Sequence, residues 1–179
     1  MADVPSRQAW GEDSVATGVN GDQSCNAAVG SGAVYVFSVT DWVSYCTSQT
    51  SSSGCVPTMS ASGVPSLSAP GAFSVTGSNL EASVNGLMFF GTTGPSNTIF
   101  GGGVLCVNPP LYRLTIKNTA GGTSCTGTMS NTLLEMLAQP QGGPLLVANQ
   151  AVHIQTWFRD PSHPSTTGLT NGLEFTISP

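Results

Sequence analysis

Gly32-Ala33-Val34-Tyr35-Val36-Phe37-Ser38-Val39 reads as the strongest β-strand in this chain. Branched and aromatic side chains suit a pleated surface, and polar residues and glycines bound the run. The polar, Gly-rich residues before it show no hydrophobic period. Residues 1–43 therefore read as an arm ending in a strand, and residues 44–179 as the domain proper. The strand's backbone donors and acceptors need a partner edge. That edge belongs either to the same chain or to a neighbouring copy. In the second case Ala33, Val34, Tyr35, Val36, Phe37 and Val39 form a self-association strand that joins the next subunit. A head-to-tail contact of this kind repeats into a filament.

Outward from that run, further strands are expected at Trp42–Thr47, Ala72–Thr76, Gly86–Phe90, Val104–Val107, Tyr112–Lys117, Ala151–Arg159 and Leu173–Ile177. Thr115-Ile116-Lys117 and Glu174-Phe175-Thr176-Ile177 alternate polar with apolar, which predicts one face in the core and one in solvent. Gly101-Gly102-Gly103 fits a turn. One helix is expected over Leu133–Ala138, capped by Ser130 or Asn131 and ended by Pro140. Many short strands with one short helix predict an all-β fold, an antiparallel sandwich or jelly roll.

Composition narrows the partners. Only 7% of the 179 residues are charged, while 23 Ser, 20 Thr and 22 Gly supply an uncharged polar surface. Such a surface repels neighbours weakly, which favours close self-packing or a glycan coat. The net charge is −5, and Arg7, Arg113, Lys117 and Arg159 are the only cations. Nucleic-acid binding needs clustered Lys and Arg, and so does attraction to an anionic membrane. No apolar run reaches the length of a membrane span. Met1-Ala2-Asp3-Val4 has neither the basic start nor the apolar stretch of a secretory leader.

Cys46 and Cys55 flank a Ser-rich loop, and Cys106 and Cys125 flank a Pro-Pro bend, a strand and a Gly-Gly turn. Both spacings suit disulfides closing local loops, although four cysteines allow three pairings. Disulfides place the chain in an oxidising, extracellular setting. Cys25 is left over, either as a buried free thiol or as a bond to another chain.

The chemistry-bearing residues are few. Trp157-Phe158-Arg159-Asp160-Pro161 is the most distinctive motif, and its Arg159 and Asp160 are expected to fix a loop at a strand end. Hydrolytic work would need a second carboxylate in a cleft, and nothing places Glu135 or Glu174 nearby. His153 and His163 lack metal-ligand spacing, and no nucleophile elbow is present. His153 is expected at a strand surface or partly buried, and His163 in a loop. The aromatics, Trp42 and Trp157 above all, offer a possible glycan contact, set against the ordinary core role of such side chains. The loop Gly11-Glu12-Asp13-Ser14 … Asn20-Gly21-Asp22-Gln23 is similar to part of a calcium loop but lacks its Asp-x-Asp-x-Asp-Gly core. No cofactor is expected, and calcium is the only one this loop partly suits.

Two segments carry a resemblance. Gly11-Glu-Asp-Ser-Val-Ala-Thr-Gly-Val-Asn-Gly-Asp-Gln-Ser, followed by Ser31-Gly-Ala-Val-Tyr-Val-Phe, resembles the closing half of an FG-GAP, integrin-like repeat. That family uses this half as a loop and an outer strand of a propeller blade. The opening half, with its calcium loop, is missing. From Tyr45-Cys46 onward the chain resembles a C-terminal β module of large secreted bacterial surface proteins. Leu87-Met88-Phe89-Phe90-Gly91-Thr92, Cys106-Val107-Asn108-Pro109-Pro110, Trp157 to Pro161 and Gly172 to Ile177 carry the likeness. The resemblance implies an extracellular or cell-surface location and no defined reaction. The expectation is a non-enzymatic structural protein, a subunit of a fibre or surface layer whose partners are copies of itself. A carbohydrate-binding or adhesion module is the alternative.

Overall fold

The structure, a computed structural model, describes residues 6–9, 33–36, 42–139 and 146–179. The chain forms two compact units, Met1–Thr40 and Asp41–Pro179.

In the smaller unit, β1 (Ser6–Ala9) pairs antiparallel with β2 (Ala33–Val36), with Arg7 opposite Tyr35 and Gln8 opposite Val34. The ribbon therefore meets one partner edge within its own chain. Phe37, Val39, Cys25 and the acidic loop Gly11–Gln23 lie outside the described residues.

The larger unit runs β3 (Trp42–Tyr45), β4 (Thr58–Ser62), β5 (Ser74–Leu80), β6 (Asn85–Gly91), β7 (Pro95–Phe100) and β8 (Gly103–Val107). It continues through β9 (Tyr112–Arg113), β10 (Lys117–Asn118), β11 (Gly127–Thr132), α1 (Leu133–Leu137), β12 (Ala151–Arg159), β13 (Thr167–Leu169) and β14 (Gly172–Thr176). A seven-stranded antiparallel sheet has the order β10-β6-β12-β14-β3, with β9 also on β6 and β13 also on β12. A three-stranded sheet, β11-β5-β4, faces it. The fold is the expected all-β antiparallel sandwich.

Period-two alternation builds the core. Val152, Ile154 and Phe158 of β12 point the same way as Met88 and Phe90 of β6 and Phe175 of β14. They meet Met59, Val75 and Met129 from the opposite sheet, and Leu133 and Met136 from α1. The other face of the large sheet is covered too. There Phe89, Leu105, Val107 and Leu169 form a second buried cluster beneath the β7–β8 hairpin. Gly101 and Gly102 close that hairpin in a two-residue turn with φ of 56° and 79°, a conformation open to glycine at no steric cost.

The cysteines do not close local loops. Cys46 bonds Cys106, and Cys55 bonds Cys125, spanning 60 and 70 residues. Sequence neighbours on a Ser-rich loop are carried to different layers here. Cys46 directly follows the edge strand β3, and Cys106 sits in the hairpin layer. The two links interlace along the chain, and they fit an oxidising environment.

Three further expectations change. The Tyr112–Lys117 run is broken into β9 and β10, and Ile116 between them is 62% exposed rather than core-facing. The Leu114 amide still reaches the Met88 carbonyl (2.8 Å), but Leu114 spends its side chain on the core and the chain beyond it leaves the ladder. The helix cap is Thr132, neither Ser130 nor Asn131. Its hydroxyl accepts from the Glu135 amide while the Glu135 carboxylate accepts from the Thr132 amide, a reciprocal box. His153 is 4% exposed and not at a strand surface. Pro140 lies outside the described residues.

Candidate functional site

β12 supplies both faces of the sheet. Its even-numbered residues enter the core, so its odd-numbered ones, His153, Gln155 and Trp157, face the outer layer. Each meets a different fate there.

Gln155 is fully buried and fully paired. It accepts from the Cys106 amide (3.0 Å) and donates to the carbonyls of Val104 (2.9 Å) and Thr170 (2.7 Å). It thereby fastens β8 to β12. Next to it, Thr170 and Asn171 make the step from β13 to β14, both of which pair with the same edge of β12. The Thr170 hydroxyl accepts from the Thr156 amide (3.0 Å), filling the break in the ladder.

His153 stacks edge-on against Tyr45, and its Nδ1 lies 3.7 Å from a Glu174 carboxylate oxygen. Burial lowers the imidazole pKa, and the Glu174 charge opposes that only in part. Burial also pushes the Tyr45 phenol up, and Glu174 adds to it. Tyr45 donates to the Cys106 carbonyl (2.9 Å).

Trp157 opens onto a groove. Phe89 and Leu105 form its floor, Leu87, Leu111 and Phe100 its walls, and its volume is about 300 Å³. Arg113 supplies the polar side. The guanidinium of Arg159 lies over the Trp157 ring, 5.4 Å from its centre, in a cation–π arrangement. Apolar side chains on both faces of Leu87-Met88-Phe89-Phe90 were the available sign that both faces of this strand are covered. The groove itself depends on β8 and β9 folding over that strand from elsewhere in the chain.

The remaining candidates are engaged in holding loops. Asp160 is buried and accepts from the Ser52 amide (2.7 Å) and hydroxyl (2.5 Å), the loop-fixing role expected of it. Arg159, exposed and stacked on Trp157, does not share that role. His163 Nδ1 lies 2.7 Å from the Ser165 hydroxyl of its own turn and 3.3 Å from Nε2 of Gln49, from a distant part of the chain. Glu135 pairs with Lys117 at 2.7 Å. Burial would raise its carboxyl, but the bonds from Lys117 and Thr132 outweigh that and hold it below its ordinary value. Among the described residues no three His, Cys, Asp or Glu side chains gather in a metal-binding group. Trp42 and Trp157 are not brought together. Trp42 packs against the main core, and Trp157 against the outer cluster on the opposite face. Cys46, Cys55, Cys106 and Cys125 are all joined in disulfides. Comparison with known families, curated proteins and solved structures finds no match for this chain.

Proposed function

We propose that this chain is a non-enzymatic adhesion module of an exported, cell-surface protein, and that it binds through the groove beside Trp157. The groove carries the reading: a concave, mostly apolar site with one convergent charged side chain is the usual form of a ligand site. The engagement of Asp160, His163 and Glu135 in loop and helix contacts supports a binding role over a reaction. A sugar is a poorer occupant, because its hydroxyls require several hydrogen-bonding partners and the described walls offer chiefly carbon. Calorimetric titration of the full chain with octan-1-ol, a neutral apolar probe, tests the reading. Saturable binding that Trp157→Ala and Phe100→Ser both weaken is expected. Binding untouched by either substitution overturns it.

A second reading rests on a separate observation. Among the described residues the β1–β2 ribbon has two strands, and an isolated pair is marginal in water. A third strand from another copy would complete it, as in a self-assembling fibre. Deleting residues 1–40 then leaves soluble, unpolymerised domains, whereas filaments of normal length from that deletion sink this reading.

A further inference from the structure

We infer that the groove is a site for a small anionic amphiphile, a carboxylate carried on an apolar tail. This rests on the groove being a recognition site, as proposed above, and adds the class of ligand. Charge complementarity is the argument. The chain has nine acidic side chains against four basic ones, yet one of those four, Arg113, lines this groove, and a second, Arg159, stacks on the ring of Trp157. Neither has a carboxylate within ion-pairing distance among the described residues. The nearest acid in sequence, Asp160, is buried and spent on Ser52, and Glu135 is spent on Lys117. A guanidinium presents a rigid fork matched to a carboxylate, so Arg113 at the polar side is built to hold one.

The size of the site supports a small occupant. A volume of about 300 Å³ suits a short chain of carbons. It lies at the low end of small-ligand sites, whereas a stable protein partner buries upward of about 1,000 Å². The floor, Phe89 and Leu105, is nearly closed to water, so a tail laid on it is desolvated while its charged end stays at the rim.

The experiment compares octanoate with octan-1-ol and octylamine on the full chain, by calorimetry at neutral pH and low salt. Octanoate is expected to bind at least about tenfold tighter than octanol. Arg113→Gln, at an exposed position, is expected to bring octanoate down to the affinity that octanol shows for the native chain. If octanol and octanoate bind equally, or octylamine binds best, the anionic class is wrong while the groove reading stands. If none of the three binds, both fall. Sedimentation with and without octanoate covers a second copy as occupant: a dimer that octanoate dissociates overturns the amphiphile as the natural ligand, and an unchanged monomer supports it.

Discussion

The Cys106 amide donates to Gln155 Oε1 at 3.0 Å, and the Gln155 amide nitrogen comes within 3.3 Å of the Cys106 sulfur. One neutral side chain thus pairs the backbone of the hairpin layer at the point where a disulfide also anchors it.

Gln155→Leu keeps the bulk but strands the Cys106 amide and the carbonyls of Val104 and Thr170. The Cys106 amide and the Thr170 carbonyl are buried, and each such orphan costs about 1–3 kcal/mol, so a loss of at least about 2 kcal/mol is expected. Urea unfolding of the two proteins measures it, and a loss under about 1 kcal/mol contradicts the pairing.

Gly168 lies opposite Phe158 on the neighbouring strand, and a Cβ there would sit 2.2 Å from the Phe158 ring. That ring is fully buried and has nowhere to retreat. Gly168→Ala is expected to cost about 1–3 kcal/mol by overpacking. Equal thermal midpoints for the two proteins would contradict the close approach.

Disulfide mapping of the unreduced protein is expected to recover Cys46 linked to Cys106 and Cys55 linked to Cys125. The chain-entropy argument gives each link roughly 4 kcal/mol. The double variant Cys55→Ala, Cys125→Ala should therefore unfold at markedly lower denaturant. Recovery of a Cys46–Cys55 peptide would refute the layer assignment.

Acid should destabilise the fold by two routes of the same sign. His153 has a folded pKa below its ordinary 6.5, so its contribution is complete above that pH and declines as the pH falls beneath it. Glu135 is held below its ordinary 4.5, so its contribution is lost lower still, as the pH falls through the folded value. Denaturant midpoints for the native chain should drop between about pH 7 and about pH 5, and His153→Gln should flatten that span. A profile unchanged by the substitution would assign the effect elsewhere.

How much was legible follows from what each residue type can say. Glu174-Phe175-Thr176-Ile177 announced its faces by alternation, and Phe175 and Ile177 are indeed buried. Thr58–Ser62, Pro95–Phe100 and Gly127–Thr132 did not read as strands, because Ser, Thr, Gly and Asn also make turns. Their strand character comes from the ladder beside them. Ile116 misled through period alone, since alternation tells nothing once the chain departs from its neighbour. Of the strand expected over Ala33–Val39, the described part, Ala33–Val36, is a strand, while its mate Ser6–Ala9 carries no apolar pattern to betray it. The groove was the least legible feature. Leu87, Leu105, Arg113 and Trp157 come from four separate strands, and only tertiary folding collects them.

The crossing of the two cysteine links has a consequence for a molecule met by proteases. Any single backbone cut between Cys46 and Cys125 falls within the loop closed by at least one sulfur bridge, and a cut between Cys55 and Cys106 falls within both. A nick in the long stretch of loops and hairpins therefore severs the polypeptide without releasing a fragment, and the sandwich retains all its pieces after the first bite.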